Sequence, residues 1–148
     1  TDVNNASAVV WLEYAGRSVL LTGDIGAEVE EKLVSDYEAL GDSLFEREYL
    51  TSWGERVTLA PALEGLDFLK VSHHGSASSS SSAFLRLTSP EAAFVSVGAG
   101  NSYGHPAQET VGRLNEIGAR IYRTDESGSI VLTICSDGTY NIQTIGRN

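Results

Sequence analysis

The sequence predicts an α/β fold in which a mixed β-sheet is flanked by helices. Short apolar runs typical of strands alternate with segments whose apolar residues recur at helical spacing. Their order is two strands, a helix, a strand, a helix, a strand, a helix and three strands. The hydrophobic fraction of 41% and the charged fraction of 20% are those of an ordinary globular protein. We interpret residues 1–148, the length of one domain, as a single or partial domain.

The first elements are a β-hairpin and a helix. Two strands joined by a tight Ala-Gly turn are predicted by the runs "SAVVWLEY" and "AGRSVLLTGD". A helix is predicted by "AEVEEKLVSDYEAL", in which Val29, Leu33 and Tyr37 recur at helical spacing and acidic residues occupy the first turn. Residues 41–65 are interpreted as a variable insertion with a short helix and a short strand.

The second half alternates strands and helices. Strands are predicted by "LDFLKVS" and "EAAFVSVG", and a short helix that ends before Pro90 is predicted by "SSAFLRLTSP". The run "HPAQETVGRLNEIG" predicts a helix with Pro106 near its first turn and Gly118 at its end. The last three strands are "ARIYRT", "SIVLTIC" and "TYNIQTIG". Cys135, in the second of these, is interpreted as a small strand residue that faces the core.

All three histidines of the chain and one aspartate fall where a strand ends and a helix follows. Asp24 comes after "LLTG", His73 and His74 come after "LKVS", and His105 stands just before a predicted helix. Open α/β sheets place their sites at such turns, and imidazole nitrogens with a carboxylate are ligands for zinc, manganese or iron. Taken alone, Asp24 is better explained as a helix cap. The joint placement of the four residues favours a metal site.

The serines after the histidines predict a polar loop and a helix start. Gly75 lets the backbone turn sharply, and Ser76 or a later serine can cap the next helix. Asn5 and Ser7, ahead of the first strand, are interpreted as turn residues.

Other polar and aromatic residues are weaker candidates. Asn101 and Tyr103 lie close to the third histidine and could position a substrate or orient a ligand. Asp125 belongs most simply to a hairpin turn, with a role in the site as the alternative. Lys70 is interpreted as an edge residue of its strand, and Trp53 as a packing residue.

The charge of the chain restricts its partners. A net charge of −10 argues against a non-specific nucleic-acid-binding module, because such a surface repels phosphate backbones. It does not exclude a nuclease, since clustered carboxylates bind divalent cations. The chain opens on Thr1 and contains no methionine, so we expect it to be a piece of a longer protein.

Four segments in this order carry a family resemblance: "NNASAVVWLEYAGRSVLLTGDIGAEVEEKL", "LDFLKVSHHGSASSSSSAFL", "FVSVGAGNSYGHPAQETVGRL" and "IYRTDESGSIVL". Together they resemble the C-terminal half of the metallo-β-lactamase-like domain of ComEC-type DNA-uptake proteins. The resemblance covers most of the chain except residues 41–65. It implies a four-layer αββα sandwich built from two similar halves, of which this chain would be the second.

The resemblance also implies a ligand set for divalent metal, zinc or manganese, with two ions in the complete domain. Asp24 is then the bridging carboxylate, and His73 and His105 are ligands. His74 is either a ligand or a catalytic proton-transfer group. Related nucleases carry a last ligand histidine after a later strand. Here that segment reads "IYRTDESGS" and has no histidine, so either Asp125 is the local substitute or there is none. Asn101 and Tyr103 would contact the substrate or orient the ligands.

The implied activity is metal-assisted hydrolysis of phosphodiester bonds by the parent protein, a nuclease that degrades the DNA strand not taken up. Single-stranded DNA, the N-terminal half of the domain and a membrane channel segment are the implied partners. The chain would be a soluble domain of a membrane protein, with a cytoplasmic protein as the alternative. Two further alternatives are a superfamily hydrolase acting on another ester, and a non-catalytic domain that binds DNA or a partner protein.

One departure from the family is an absence in the sequence. The principal metal motif of the family is a His-x-His-x-Asp-His cluster, and this sequence contains no His-x-His. We therefore expect the chain alone to be inactive. A half-sandwich would also leave an apolar sheet face uncovered, so we expect a homodimer.

Overall fold

The computed structural model describes residues 3–146. The helices are α1 (Ala27–Leu40), α2 (Ser82–Thr88), α3 (Gln108–Glu116) and the single turn α4 (Thr124–Ser127). The strands are β1 (Val10–Tyr14), β2 (Arg17–Leu21), β3 (Arg47–Leu50), β4 (Arg56–Leu59), β5 (Phe68–Lys70), β6 (Ala92–Val95), β7 (Arg120–Arg123), β8 (Ser129–Ile134) and β9 (Tyr140–Ile145). Within residues 3–146, no helix is both long and apolar enough to cross a membrane.

The predicted mixed sheet is confirmed. It has five strands in the order β1-β2-β5-β6-β7, and only the edge strand β1 runs antiparallel to its neighbour. Leu20, Leu69 and Ala93 stand on successive parallel strands, where their register places them side by side in pairs. Because β2, β5, β6 and β7 run the same way, the residues that follow them gather along one edge of the sheet.

One face of this sheet and the helices form the core. The same three sheet residues are at most 1% exposed. Apolar residues of the helices complete a single hydrophobic cluster with them, among them Val34 of α1, Phe84 of α2 and Leu114 of α3. Burial of this apolar area is the main force that holds the helices on the sheet.

The other face of the sheet lies under a separate hairpin, β8–β9. The ring of Tyr140 on β9 meets the ring of Phe68 on β5 edge to face, with centroids 4.9 Å apart. A cavity of about 310 Å³ remains between hairpin and sheet, with mostly apolar side chains around it, such as Leu21 and Phe94. The hairpin thus covers part of the face that we expected to be bare, and the expected dimer stays a prediction.

A polar cluster ties the start of β2 to the start of β5. Asp67 accepts hydrogen bonds from the backbone amide of Ser18 at 2.8 Å and from Nη1 of Arg17 at 2.6 Å. Burial acts to raise the pKa of Asp67, but these hydrogen bonds outweigh it and the pKa lies below its ordinary value. Arg17 also donates to the carbonyl of Gly138 in the β8–β9 turn, so the cluster joins both sheets.

Four interpretations from the sequence are wrong. Residues 124–127 form the helical turn α4 between two different sheets, so Asp125 does not lie in a hairpin turn. Cys135 is exposed, because it follows the alternation of β8 on the outer side, with Val131 and Thr133. Trp53 is 76% exposed at the tip of the β3–β4 hairpin and packs on no core. Residues 41–65 begin with a short 3₁₀ helix, as expected, but they hold the two strands of that hairpin instead of a single strand.

Candidate metal centre

The fold brings the four singled-out residues to one edge of the sheet. Asp24 follows β2, His73 and His74 follow β5, and His105 lies between β6 and α3. Nε2 of His74 lies 3.6 Å from Oδ1 of Asp24. The ring centroid of His73 lies 5.8 Å from that of His105 and 6.5 Å from that of His74. Parallel neighbouring strands that end together explain this convergence.

The turn that carries Asp24 is held by the residues ahead of β1. The N-cap position of α1 is Gly26, so the explanation of Asp24 as a helix cap is wrong. The Asp24 backbone amide donates to Oγ of Ser7 at 3.2 Å, and the Gly26 amide donates to Oδ1 of Asn5 at 3.0 Å. A Cβ at Gly23 would lie 2.7 Å from the Cβ of Ser7. Asn5 and Ser7 therefore position the carboxylate, a role that sequence reasoning missed.

The two histidines that follow β5 lie in a left-handed turn. His73 has φ 46° and His74 has φ 55°, a conformation that non-glycine residues rarely adopt. The amide of His73 donates to the carbonyl of Gly23 at 3.1 Å, which joins this turn to the Asp24 turn. Gly75 has φ 82°, and a Cβ there would lie 2.6 Å from the Cβ of Pro106. The backbone therefore fixes where both imidazoles emerge.

Nε2 of His74 faces the carboxylate of Asp24. Its Nδ1 lies 2.6 Å from the carbonyl oxygen of Ser96, which can only accept, so the proton is on Nδ1. In the neutral imidazole, Nε2 and the Asp24 carboxylate are two electron-pair donors that face each other, an arrangement that a cation or a proton stabilises. Metal-binding histidines commonly bond a carbonyl through their other nitrogen. The geometry thus suits His74 as a ligand and as a proton-transfer group, and that alternative stays open.

Lys70 is a further charged residue of this edge. It ends β5, the central strand of five, so the interpretation of Lys70 as an edge residue is wrong. Its Nζ donates to the carbonyl of Gly23 at 2.7 Å and lies 3.7 Å from Oδ1 of Asp24. Burial lowers the pKa of Lys70, and the attraction of Asp24 partly opposes that effect.

Asn101 fixes the backbone of His105. Its Nδ2 donates to the carbonyl of His105 at 2.7 Å, and its Oδ1 accepts from the amide of His105 at 3.1 Å. The ring of Tyr103 stacks on the imidazole of His105, with centroids 6.0 Å apart. These residues and His74 line a cavity of about 210 Å³. Burial and the other two histidines hold the pKa of His105 below its ordinary value, which favours the neutral form.

The carboxylate of Asp125 is engaged by an arginine. Nε and Nη2 of Arg123 donate to its two oxygens at 3.1 and 2.6 Å. This pairing lowers the pKa of Asp125. Its role as a substitute ligand stays a prediction.

The serine run is a folded loop clamped from both sides. Glu30 of α1 is fully buried, and its oxygens accept from the amides of Ser80 and Ser81 at 2.7 Å each. Arg113 of α3 donates to the carbonyls of Ser79 at 2.9 Å and Ser80 at 2.8 Å. Ser81 also caps α2, as expected of a later serine. Glu30 and Arg113 were missed, because in sequence both are ordinary charged residues on helices.

The donor chemistry of this edge fits a divalent metal, but the ligand set is partial. Carboxylate oxygen and imidazole nitrogen are ligands for zinc and manganese. Among residues 3–146, however, no three potential ligands lie close enough together to hold an ion. The side chains form two pairs instead, Asp24 with His74 and His73 with His105. A partial set agrees with the lack of a His-x-His motif in the sequence.

Comparison with known proteins places these motifs in a family. The family described as metallo-beta-lactamase superfamily matches residues 2–99. ComE operon protein 3 of Bacillus subtilis (strain 168) is 32% identical over 127 residues, 86% of this chain and 13% of that protein. Competence protein ComA of Neisseria gonorrhoeae is 33% identical over 129 residues, 87% of this chain and 15% of that protein.

A third relative is more distant. Recombination protein 2 of Haemophilus influenzae (strain ATCC 51907 / DSM 11121 / KW20 / Rd) is 28% identical over 134 residues, 90% of this chain and 14% of that protein. The chain thus spans only 13 to 15% of the length of these relatives. The resemblance inferred from the four segments is confirmed by these matches.

Proposed function

Since the chain belongs to the metallo-beta-lactamase superfamily and has a mixed sheet with flanking helices that agrees with its fold, we propose that it forms part of a metal-dependent hydrolase domain. The reaction is cleavage of phosphodiester bonds in DNA, associated with DNA uptake. One observation carries the proposal: Asp24, His73, His74 and His105 meet at one edge of the sheet. The similarity to proteins named for competence supports the link with DNA.

In this proposal the chain is the C-terminal half of the hydrolase domain, with residues 41–65 as an insertion. The remaining ligands come from another part of a longer parent protein. Two features support this division: the partial ligand set of residues 3–146 and the small share of each relative that the chain spans. The parent is a membrane protein of which this chain is a soluble domain, and its channel segment and the N-terminal half are the partners.

Each residue of the edge has a role in the proposed mechanism. When bound, divalent ions lower the pKa of a water molecule and neutralise the scissile phosphate. Asp24, His73 and His105 would hold these ions. The ammonium group of Lys70 lies 3.7 Å from Oδ1 of Asp24 and attracts its carboxylate. His74 keeps its proton on Nδ1, where the carbonyl of Ser96 holds it, and its free Nε2 can bind an ion or accept a proton from water.

The test uses the full-length parent protein and the substitution Asp24→Ala. Loss of the bridging carboxylate should lower Mn²⁺-dependent cleavage of DNA by more than about 100-fold. It should also lower the bound metal measured by elemental analysis, a readout that does not require activity. Asp36→Ala is the matched control, because Asp36 pairs only with Lys32 on the outer face of α1. DNA cleavage that survives Asp24→Ala would contradict the proposal.

A second candidate is a non-catalytic domain that binds DNA or a partner protein. The lack of three converging ligands among residues 3–146 favours it. The same experiment separates the two candidates. A non-catalytic parent protein would contain no stoichiometric metal, and neither the wild type nor the two variants would cleave DNA.

A further inference from the structure

An aromatic ring stands exposed beside the proposed metal centre. The side chain of Tyr103 is 81% exposed, although it contacts the imidazole of His105 in a stacked arrangement with an interplanar angle of 24°. The ring centroid of His105 lies 6.0 Å from that of Tyr103 and 5.8 Å from that of His73. Tyr103 and His105 also line the cavity that Asn101 and His74 line, so the exposed ring adjoins the site.

The ring is presented by an ordered loop. The amide of Asn101 donates to the carbonyl of Gly98 at 3.3 Å, and its Nδ2 donates to the same carbonyl at 3.0 Å. The amide of Tyr103 donates in turn to Oδ1 of Asn101 at 3.2 Å. Because one side chain bonds both ends of the loop, Tyr103 is held near the site without being buried. A fixed, exposed aromatic surface leaves apolar area in water that a flat ligand can cover.

The negative charge of the chain favours stacking over ionic contacts as the way in which this surface binds a nucleic acid. A nucleic acid bound here would gain little from long-range attraction, because the chain carries a net charge of −10. The nearby cation Lys70 is already engaged by Gly23 and Asp24. Stacking of a base on an aromatic ring requires no charge and accepts every base. It therefore suits an acidic domain that must hold a polynucleotide next to its metal ligands.

We infer that Tyr103 is the platform of a nucleobase subsite adjoining the metal centre, which stacks an unpaired base next to the phosphodiester to be cleaved. The inference rests on the proposed function for its substrate class and goes beyond it in assigning a site. A base within a duplex is covered on both faces by its neighbours, so the subsite accepts single strands in preference to duplexes.

The test measures binding in EDTA, so that no cleavage occurs. The probes are a fluorescent oligothymidylate and an abasic oligomer of the same length and charge, and the readout is anisotropy with the 148-residue chain. The wild-type chain should bind the oligothymidylate about 10-fold more tightly than the abasic oligomer. Tyr103→Ala should remove this difference and leave the affinity for the abasic oligomer unchanged. Tyr103→Phe should keep it.

Trp53→Ala is the matched control, since Trp53 is an equally exposed aromatic residue on the β3–β4 hairpin. Three results would overturn the inference: equal affinity of the wild-type chain for the two probes, no measurable binding of the oligothymidylate, or a base preference that survives Tyr103→Ala. A base preference that Trp53→Ala removes would overturn it as well. Because the assay requires neither metal nor cleavage, its failure is distinguishable from failure of the proposed hydrolase.

Discussion

The buried carboxylate of Glu30 should be among the most stability-critical side chains of the domain. It accepts two backbone hydrogen bonds of 2.7 Å from Ser80 and Ser81, and it is fully buried. Glu30→Ala leaves both amides without an acceptor in the interior. An unsatisfied buried donor costs about 1–3 kcal/mol, so the two together should cost about 4 kcal/mol. Glu30→Gln keeps one acceptor and should cost about half as much.

Urea unfolding followed by circular dichroism measures this loss. With a slope of about 2 kcal/mol/M, a loss of about 4 kcal/mol moves the midpoint by about 2 M. Hydrogen exchange adds a local readout, because the amides of Ser80 and Ser81 should lose protection. The matched control is Glu31→Ala, an exposed neighbour on the same helix that should change stability by less than about 0.5 kcal/mol. If Glu30→Ala costs no more than Glu31→Ala, the argument from buried hydrogen bonds fails.

Three further predictions concern the supports of the site and of the sheet. The lowered pKa of Asp67 contributes stability that is present above its unfolded-state pKa, near 3.9, and is lost as the pH falls through the folded-state value. Asp67→Asn should therefore weaken the acid dependence of the unfolding free energy below about pH 5, where the unfolded-state carboxyl begins to bind a proton. Gly75→Ala should cost about 2–4 kcal/mol in thermal or urea unfolding, because a Cβ at φ 82° is strained and would meet Pro106 at 2.6 Å. Ser81→Ala removes the cap of α2 and should cost about 1 kcal/mol in urea unfolding.

The predictions for Gly75 and Ser81 have control variants, and the prediction for Asp67 has an outcome that would contradict it. Gly112→Ala lies inside α3 with open space around its Cβ, and should stabilise the chain by about 0.5–1 kcal/mol. Equal effects of the two glycine substitutions would show that the close approach to Pro106 is unimportant. Ser81→Gly should lose only a few tenths of a kcal/mol, since glycine is an acceptable cap. An unchanged acid slope in Asp67→Asn would refute the linkage argument.

The periodic spacing of apolar residues predicted the helices and strands that bury one side against the core. The helix predicted from "AEVEEKLVSDYEAL" has the same bounds in the structure. Its apolar spacing and its acidic first turn depend only on residues close together in the sequence, so the pattern was sufficient to predict it. The convergence of Asp24, His73, His74 and His105 could also be anticipated. Each follows a strand or precedes a helix, and parallel strands end at a common edge.

What could not be predicted depends on contacts between distant segments. Glu30 meets its partners 50 and 51 residues away, and Asn5 meets Gly26 21 residues away. Lys70 lies in a central strand because β2 pairs with β5. This pairing joins Leu21 and Lys70, which are 49 residues apart, and no local periodicity encodes it. Cys135 shows a different kind of error: it shares the outer side of the hairpin with Val131 and Thr133, whereas Ile130 and Leu132 face the sheet.

The left-handed turn at His73 and His74 also bears on how quickly the site can respond. Each non-glycine residue in that conformation costs about 1–2 kcal/mol, and the rest of the domain offsets this cost when the chain folds. In the proposed metal centre, a cation would therefore meet a backbone that is already in place, and no ordering entropy would reduce its affinity. Such preorganisation predicts that a cation would bind rapidly, without a slower phase in which the loop closes. It also predicts that the backbone around these two residues would be the same with and without the metal.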